Sequence, residues 1–137
     1  MRQLVTIRAI SEVVPIDGAD QIEVIKLDGW QCVAKKNEFL AGDLAMYHEI
    51  DSFLPQHPRY DFLAARGMQT NGDGSKGYRL RTIRLRGQLS QGLALPVSQF
   101  PEILDEAGAV IELSQDADLA EIIGVAKYEQ PIPAQLA

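Results

Sequence analysis

Residues 22–35 read IEVIKLDGWQCVAK, and this stretch predicts a β-hairpin. The run Ile22–Leu27 is rich in β-branched and other apolar residues, as strands are. Asp28-Gly29 then supplies the dipeptide that favours a two-residue hairpin turn. Beyond the turn, Trp30, Cys32 and Ala34 occupy alternate positions, which is the period of a strand with one buried face. We therefore expect two antiparallel strands joined at Asp28-Gly29.

Similar signals extend outward from this hairpin in both directions. Upstream, Leu4–Val14 predicts a strand and Pro15–Gly18 a turn. Downstream, Gly42-Asp43 marks another turn, and the chain between residues 68 and 77 is a glycine-rich loop. Three more strands are predicted after these turns: Leu44–Ile50, Tyr78–Leu85 and Gly92–Val97.

Helical signals are few and short. They fall at Pro58–Arg66, at Val97–Leu104 and at Asp118–Ile123, where Asp118 and Glu121 have the spacing of a capping box. Many short strands, glycine turns and one or two small peripheral helices predict an all-β domain, a partly open five-stranded Greek-key barrel of the OB type.

Composition is that of one soluble domain. The chain has 137 residues, of which 46% are hydrophobic and 23% charged, so it can bury a single core. Its one cysteine, Cys32, alternates with core positions and is interpreted as a buried strand residue, not a reactive thiol. No apolar run reaches the roughly 20 residues that cross a bilayer. These features predict a cytoplasmic protein without membrane contact.

The net charge of −6 is unevenly distributed. Residues 1–100 hold 12 Lys or Arg and 11 Asp or Glu, whereas residues 101–137 hold one Lys and eight acids. Between Ser75 and Gly87 there are five cations and no acid, and we name these five residues the arginine strip: Lys76, Arg79, Arg81, Arg84 and Arg86. A local field of this kind matters more to a docking ligand than the total charge.

Nucleic acid is the ligand that the arginine strip favours, because a guanidinium donates two parallel hydrogen bonds to a phosphate. Strand alternation cannot keep one apolar face through the strip, so we expect a bulge or break near Thr82-Ile83. The predicted nucleic-acid contacts are the five strip residues, with Lys35 and Lys36 extending the patch and Tyr78 as the stacking residue. Two alternatives stay open: the arginines pair with C-terminal acids (Glu112, Asp116, Glu121), or they face another domain.

The other aromatic residues are assigned to packing. Trp30 and Tyr47 alternate with apolar neighbours and are expected in the core. Phe53, Tyr60 and Phe62 flank prolines and are expected to pack as a lid. With few exposed aromatic rings, contact with the backbone of duplex or nicked RNA is favoured over reading of bases.

Several longer motifs resemble known OB-fold groups. The run Val14–Val24 with Gly29-Trp30 and Gly42-Asp43 resembles both the tRNA-binding domain of synthetases and the N-terminal domain of Deinococcus-type ATP-dependent RNA ligases. The second group alone is also similar to this chain in three later stretches: Asp51–Pro55, Arg81–Leu93, and Lys127–Glu129 with Pro131–Gln135.

The resemblance to the ligases covers essentially the whole chain. It implies an OB-fold domain over residues 1–128 and a linker over residues 129–137, leading to a nucleotidyltransferase domain that lies outside this chain. It also implies that RNA and that domain are the partners, with ATP and Mg²⁺ used by the catalytic domain to join a 3'-hydroxyl to a 5'-phosphate. A structural docking role and a free-standing tRNA-binding protein remain the alternatives.

No residue of this chain is assigned a catalytic or metal-binding role. Lys26-Leu27-Asp28-Gly29 matches K-x-D-G, the motif of the adenylated lysine in ligases, but its supporting motifs are absent and a hairpin turn explains it. His48 and His57 are nine residues apart, which matches no zinc pattern.

Overall fold

The computed structural model describes residues 4–107, Val110 and residues 119–129. This part of the chain contains three short 3₁₀ helices, Pro58–Arg66, Val97–Gln99 and Pro101–Ile103. Its strands are β1 Val5–Ala9, β2 Glu12–Pro15, β3 Ile22–Leu27, β4 Trp30–Lys35, β5 Leu44–His48, β6 Ser52–Pro55, β7 Gln69–Thr70, β8 Lys76–Arg79, β9 Ile83–Leu85, β10 Gln88–Ser90, β11 Leu93–Pro96 and β12 Ala126–Lys127.

The predicted central hairpin is confirmed. Strands β3 and β4 pair antiparallel, from Ile22 opposite Lys35 to Leu27 opposite Trp30. The turn residues Asp28 and Gly29 have φ values of 46° and 80°, the left-handed region that this tight turn requires.

The first predicted strand is divided into β1 and β2. Strand β1 pairs with β5 and β2 pairs with β3, so the chain passes from one sheet to the other between them. Ile10 lies at this corner with 1% of its surface exposed, and its backbone N–H donates to Asp43. The strand changes sheets at this point, which is how one long β segment forms the corner of a barrel.

Two three-stranded sheets, β1-β5-β11 and β2-β3-β4, form the barrel. Between β4 and the segment that follows β10, a backbone hydrogen bond is mixed with side-chain ones. The Gln91 N–H donates to Gln31 O at 2.7 Å, Ser90 Oγ accepts from the Val33 N–H at 3.0 Å, and Gln91 Oε1 accepts from the Gln31 N–H at 3.2 Å. The barrel is therefore partly open, as predicted. Its interior is filled by apolar side chains that include Ile25, Leu27, Cys32, Tyr47 and Ala94.

A second layer covers the outer face of sheet β1-β5-β11. The insertion between β5 and β11 carries strands β6 to β10 and the Pro58–Arg66 helix, and β12-β6-β8-β7 form a further sheet. Met46, Tyr60, Leu63 and Phe100 belong to the buried core between these layers, which we name the second core. The positions of β8 to β10 in this insertion determine where the arginine strip lies.

Of the three predicted helices, Pro58–Arg66 is confirmed as a 3₁₀ helix, Val97–Leu104 is helical only in part, and the one at Asp118–Ile123 is wrong. Asp118 lies outside the described residues, and the chain from 120 to 124 forms turns, because Leu119, Ala120 and Ile123 all pack into the second core. Val97–Leu104 is divided into two single turns at Phe100, since a residue before proline disfavours the helical conformation. No helix in the described ranges is long and apolar enough to cross a membrane.

Candidate nucleic-acid interface

The arginine strip is broken where the sequence predicted. Strand β8 ends at Arg79 and β9 begins at Ile83. Between them Leu80, 2% exposed, turns into the second core, and its N–H donates to Ser52. Arg79 ends the strand before the break, Arg81 lies within the break, and Arg84 and Arg86 lie on a separate hairpin beyond it.

Arg79 is held by two partners. Its Nε and Nη2 both donate to Asp51 Oδ1, at 3.2 and 2.9 Å. Its Cζ lies 4.3 Å from the centre of the Tyr128 ring, within cation–π distance. These contacts occupy the edge of the guanidinium that would otherwise bind a phosphate. The first role of Arg79 is therefore to connect β8 to Asp51 and Tyr128.

A polar cleft opens beside this pair. It has a volume of about 430 Å³ and is lined by Asp51, Arg79, Arg81, Lys127 and Tyr128. Arg81 and Lys127 are exposed, and neither forms an ion pair with any described residue. Lys127 is absent from the contacts predicted from the sequence, because 46 positions separate it from Arg81 and only the pairing of β12 with β6 brings them together.

Arg84 and Arg86 lie on the hairpin formed by β9 and β10, which the sequence analysis missed. Arg84 pairs with Leu89, and Arg86 and Gly87 form the turn. Both arginines are exposed and unpaired within the described ranges. Of the acids considered as their partners, Glu112 and Asp116 lie outside the described residues, and Glu121 pairs with neither arginine.

The backbone of Arg86 is strained. Its φ is +51°, and the other non-glycine residues with positive φ in the described part of the chain are Asp28, Asn37 and Asp51. Aspartate and asparagine tolerate this region, whereas for other L-residues it costs roughly 1–2 kcal/mol. Such strain is commonly stored at functional sites. An arginine at this turn therefore marks the hairpin tip as a candidate contact.

The remaining predicted contacts are dispersed. Lys76 is exposed at the start of β8, beside Thr70 of β7, whereas Lys35 and Lys36 are exposed at the end of β4 on the barrel. Tyr78 is 5% exposed and belongs to the second core, so its prediction as a stacking residue is wrong. Tyr78 and Leu80 share one face of the chain, and this alternation was the signal for burial.

The other aromatic residues divide into buried and exposed. Tyr47 is fully buried, as predicted, and half-buried Trp30 packs on it with ring centres 5.8 Å apart. The predicted lid is wrong for Phe53 and Tyr60, which are buried at 4% and 0% exposure. Phe62 is 50% exposed and is open to a ligand.

Both histidines have structural partners. His48 is fully buried, and its Nδ1 lies 3.1 Å from Met46 O and 3.2 Å from Leu93 O, so this nitrogen carries the proton and donates. Its Nε2 accepts from the Tyr60 hydroxyl at 2.8 Å. Burial lowers the pKa of His48 to about 4. The other histidine, His57, caps the Pro58–Arg66 helix by accepting the Arg59 N–H.

Three further sequence predictions concern reactive groups. Cys32 is buried, and burial raises the pKa of its thiol to about 12, which confirms its structural role. Lys26 lies on the exposed side of β3, 4.0 Å from Glu12, so the K-x-D-G motif is a strand end and a turn. Within the described ranges, no three His, Cys, Asp or Glu side chains approach closely enough to hold a metal ion.

Comparison with known families identifies the fold. A family model described as an OB-fold domain matches residues 4–97. The chain belongs to this OB-fold domain family. No curated protein sequence matches it.

Solved structures of an RNA ligase also resemble this OB-fold domain. Naegleria gruberi RNA ligase with PPi is 44% identical, with a TM-score of 0.81, over 100% of this chain and 38% of that one. A mutant of the same ligase with ATP and Mn is 45% identical, with a TM-score of 0.80, over 96% of this chain and 37% of the other. The OB-fold domain thus spans little more than a third of the ligase chains that it matches.

Proposed function

We propose that this OB-fold domain is the N-terminal module of a Deinococcus-type ATP-dependent RNA ligase, and that it holds RNA by its phosphates. In this proposal residues 1–128 form the binding module and residues 129–137 lead to a nucleotidyltransferase domain. That domain would bind ATP and Mg²⁺ and seal the 3'-hydroxyl to the 5'-phosphate. The observation that carries the proposal is the 44% identity to an RNA ligase over the whole chain.

The distribution of unpaired cations supports RNA as the ligand. Arg81 and Lys127 flank the polar cleft, and Arg84 and Arg86 project from the hairpin. Lys76 at the start of β8, and Lys35 and Lys36 at the end of β4, are also exposed. Cations without carboxylate partners are free to replace the counterions of a phosphate backbone, and this exchange gives most of the affinity in non-specific binding.

A docking role is the second candidate, and one observation favours it. The side chain of Asn71 clamps the end of the described chain: its Nδ2 donates to Lys127 O at 3.2 Å, and its Oδ1 accepts the Glu129 N–H at 2.6 Å. The Tyr128 ring packs between Arg79 and Phe53. A domain that follows residue 129 would therefore start from a fixed point on this sheet.

The proposal is tested by binding of this chain to a fluorescent nicked RNA duplex, measured by anisotropy. Three phosphate contacts would lower the affinity by about 40-fold between about 50 and 200 mM salt. The variant Arg84→Gln/Arg86→Asn should weaken binding and reduce the slope of log K against log salt by about 2. Asn is used at position 86 because it tolerates the positive φ.

Lys26→Glu is the matched control. It changes the net charge by the same two units as the double variant, and it lies on β3 away from the cleft and the hairpin tip. Binding that is insensitive to salt, or an equal loss in the control, would contradict the proposal. Selective retention of tRNA over the nicked duplex would instead support the free-standing tRNA-binding protein.

A further inference from the structure

A groove of about 440 Å³ lies on the outside of the barrel, apart from the polar cleft. Its lining includes Val33 of β4 together with Leu93 and Leu95 of β11. Phe62 of the Pro58–Arg66 helix and Leu85 of β9 also line it. In size it is within the usual range for small-molecule sites, about 300–1,000 Å³.

The groove combines an open aromatic ring with a few polar groups. Phe62 is 50% exposed although it borders a concave apolar surface. Lys35 lies on the lining and is exposed, and Glu38 supplies a carboxylate whose pKa is raised by burial and partly lowered again by the charge of Lys35. An aromatic ring binds the face of a base, a lysine binds a phosphate, and a carboxylate accepts from the amino group of a base.

Arg59 lines the same wall and is paired with Glu102. Its side chain is 6% exposed, and its Nη2 donates to both oxygens of Glu102, at 2.9 and 2.7 Å. Its buried Nε and Nη1 have no partner in the described part of the chain. The guanidinium also lies over the Phe100 ring, with its Cζ 4.2 Å from the ring centre, so these contacts hold Arg59 in place at the wall of the groove.

The groove is continuous with the hairpin that carries the unpaired arginines. Leu85 lies between Arg84 and Arg86 in the sequence, and its side chain lines the groove on the face opposite Arg84. An RNA strand whose phosphates contact the hairpin thus passes the mouth of the groove.

We propose that the groove receives the base of one unpaired nucleotide of the bound RNA, stacked on Phe62, with the adjoining phosphate at Lys35. This inference rests on the proposed function, because it requires an RNA held at the hairpin. It adds recognition of an unpaired nucleotide to a surface that otherwise contacts only phosphates.

The test compares two fluorescent RNA probes on this chain. One is a flush nicked duplex, and the other has a single unpaired 2-aminopurine at the nick. Phe62→Ala should weaken binding of the second probe by about fivefold, the lower end of what stacking on one aromatic ring contributes, and leave the first unchanged. Phe62→Trp should retain the affinity and the 2-aminopurine quenching, whereas Phe62→Leu should lose both.

Ile122→Ala is the matched control, since Ile122 is also 50% exposed but lies outside the groove. An equal effect of Phe62→Ala on the affinity for the two probes, or full retention by Phe62→Leu, would overturn the groove inference while the flush duplex still reports on the proposed function. If the native chain binds neither probe, the proposed function fails as well. Unchanged thermal unfolding of the Phe62 variants shows that any loss comes from the ring.

Discussion

Protonation of His48 should destabilise the fold at mildly acidic pH. Burial lowers the pKa of this imidazole from 6.5 to about 4 in the folded chain, whereas the unfolded chain keeps the ordinary value. As pH falls below 6.5, the unfolded state therefore takes up the proton first, and stability is lost until the pH reaches the folded pKa. Linkage gives a loss of about 2 kcal/mol at about pH 5 and about 3 kcal/mol once both states are protonated.

The assay is urea unfolding at several pH values between about 7 and 5, followed by the fluorescence of Trp30. His48→Gln removes the titrating group, so its free energy of unfolding should fall by about 2 kcal/mol less over this range than that of the native chain. Carboxylates contribute equally to both proteins and cancel in the difference. His57→Asn is the control, because it replaces an exposed histidine with another residue that can cap a helix.

Identical pH dependence in the His48→Gln variant and the native chain would refute this reasoning. Should the variant fail to fold, NMR titration of the native chain gives a direct answer. The His48 ring resonances should not shift until the pH approaches about 4, where the folded imidazole takes up its proton. A midpoint near 6.5 would show that the ring is reached by water and that its hydrogen bonds to Tyr60 and the two carbonyls are not maintained.

Two backbone predictions concern residues with positive φ. Arg86→Asn should raise the free energy of unfolding by about 0.5–1 kcal/mol, because Asn relieves the strain at the hairpin tip. It should also weaken RNA binding, because it removes a phosphate contact. Thermal unfolding measures the first effect and anisotropy the second, and a loss of stability would contradict the turn assignment. Gly92→Ala should destabilise the chain by at least about 2 kcal/mol, since φ is +85° and the added Cβ would lie 2.2 Å from the His48 carbonyl oxygen. Urea unfolding checks this, with Gly18→Ala as control, because its φ is also positive but no atom lies within 4 Å of the added Cβ.

Local turn chemistry made the barrel predictable. The two-residue turn Asp28-Gly29 determines the register in which β3 and β4 pair. The need for a continuous apolar face predicted the break before Ile83. The predicted helix at residues 118–123 was wrong because capping signals are weak compared with the burial of Leu119 and Ile123. Local signals therefore predict hairpins well, and they fail where packing against a distant layer decides the conformation.

The candidate site was less predictable, because its partners are distant in the sequence. Arg79 meets Asp51 across 28 positions and Tyr128 across 49, and no local pattern indicates either contact. The exposure of Phe62 depends on how the Pro58–Arg66 helix packs against the barrel. By contrast, the burial of Tyr78 could have been predicted from the sequence, since Tyr78 and Leu80 are two positions apart in a strand and therefore share the buried face.

The net charge of −6 is a poor guide to what this surface binds, because the cations fall into two groups. Four of them form ion pairs with carboxylates: Arg8 with Asp28, Lys26 with Glu12, Arg59 with Glu102 and Arg79 with Asp51. The cations without such a partner in the described ranges are Lys35, Lys36, Lys76, Arg81, Arg84, Arg86 and Lys127. An anionic ligand meets this second group, none of which forms an ion pair with a carboxylate in those ranges, and both Lys35 and Leu85 of the arginine hairpin line the groove beside Phe62. The RNA strand that we propose as the ligand would match both features together, its phosphates meeting the unpaired cations and one base the groove.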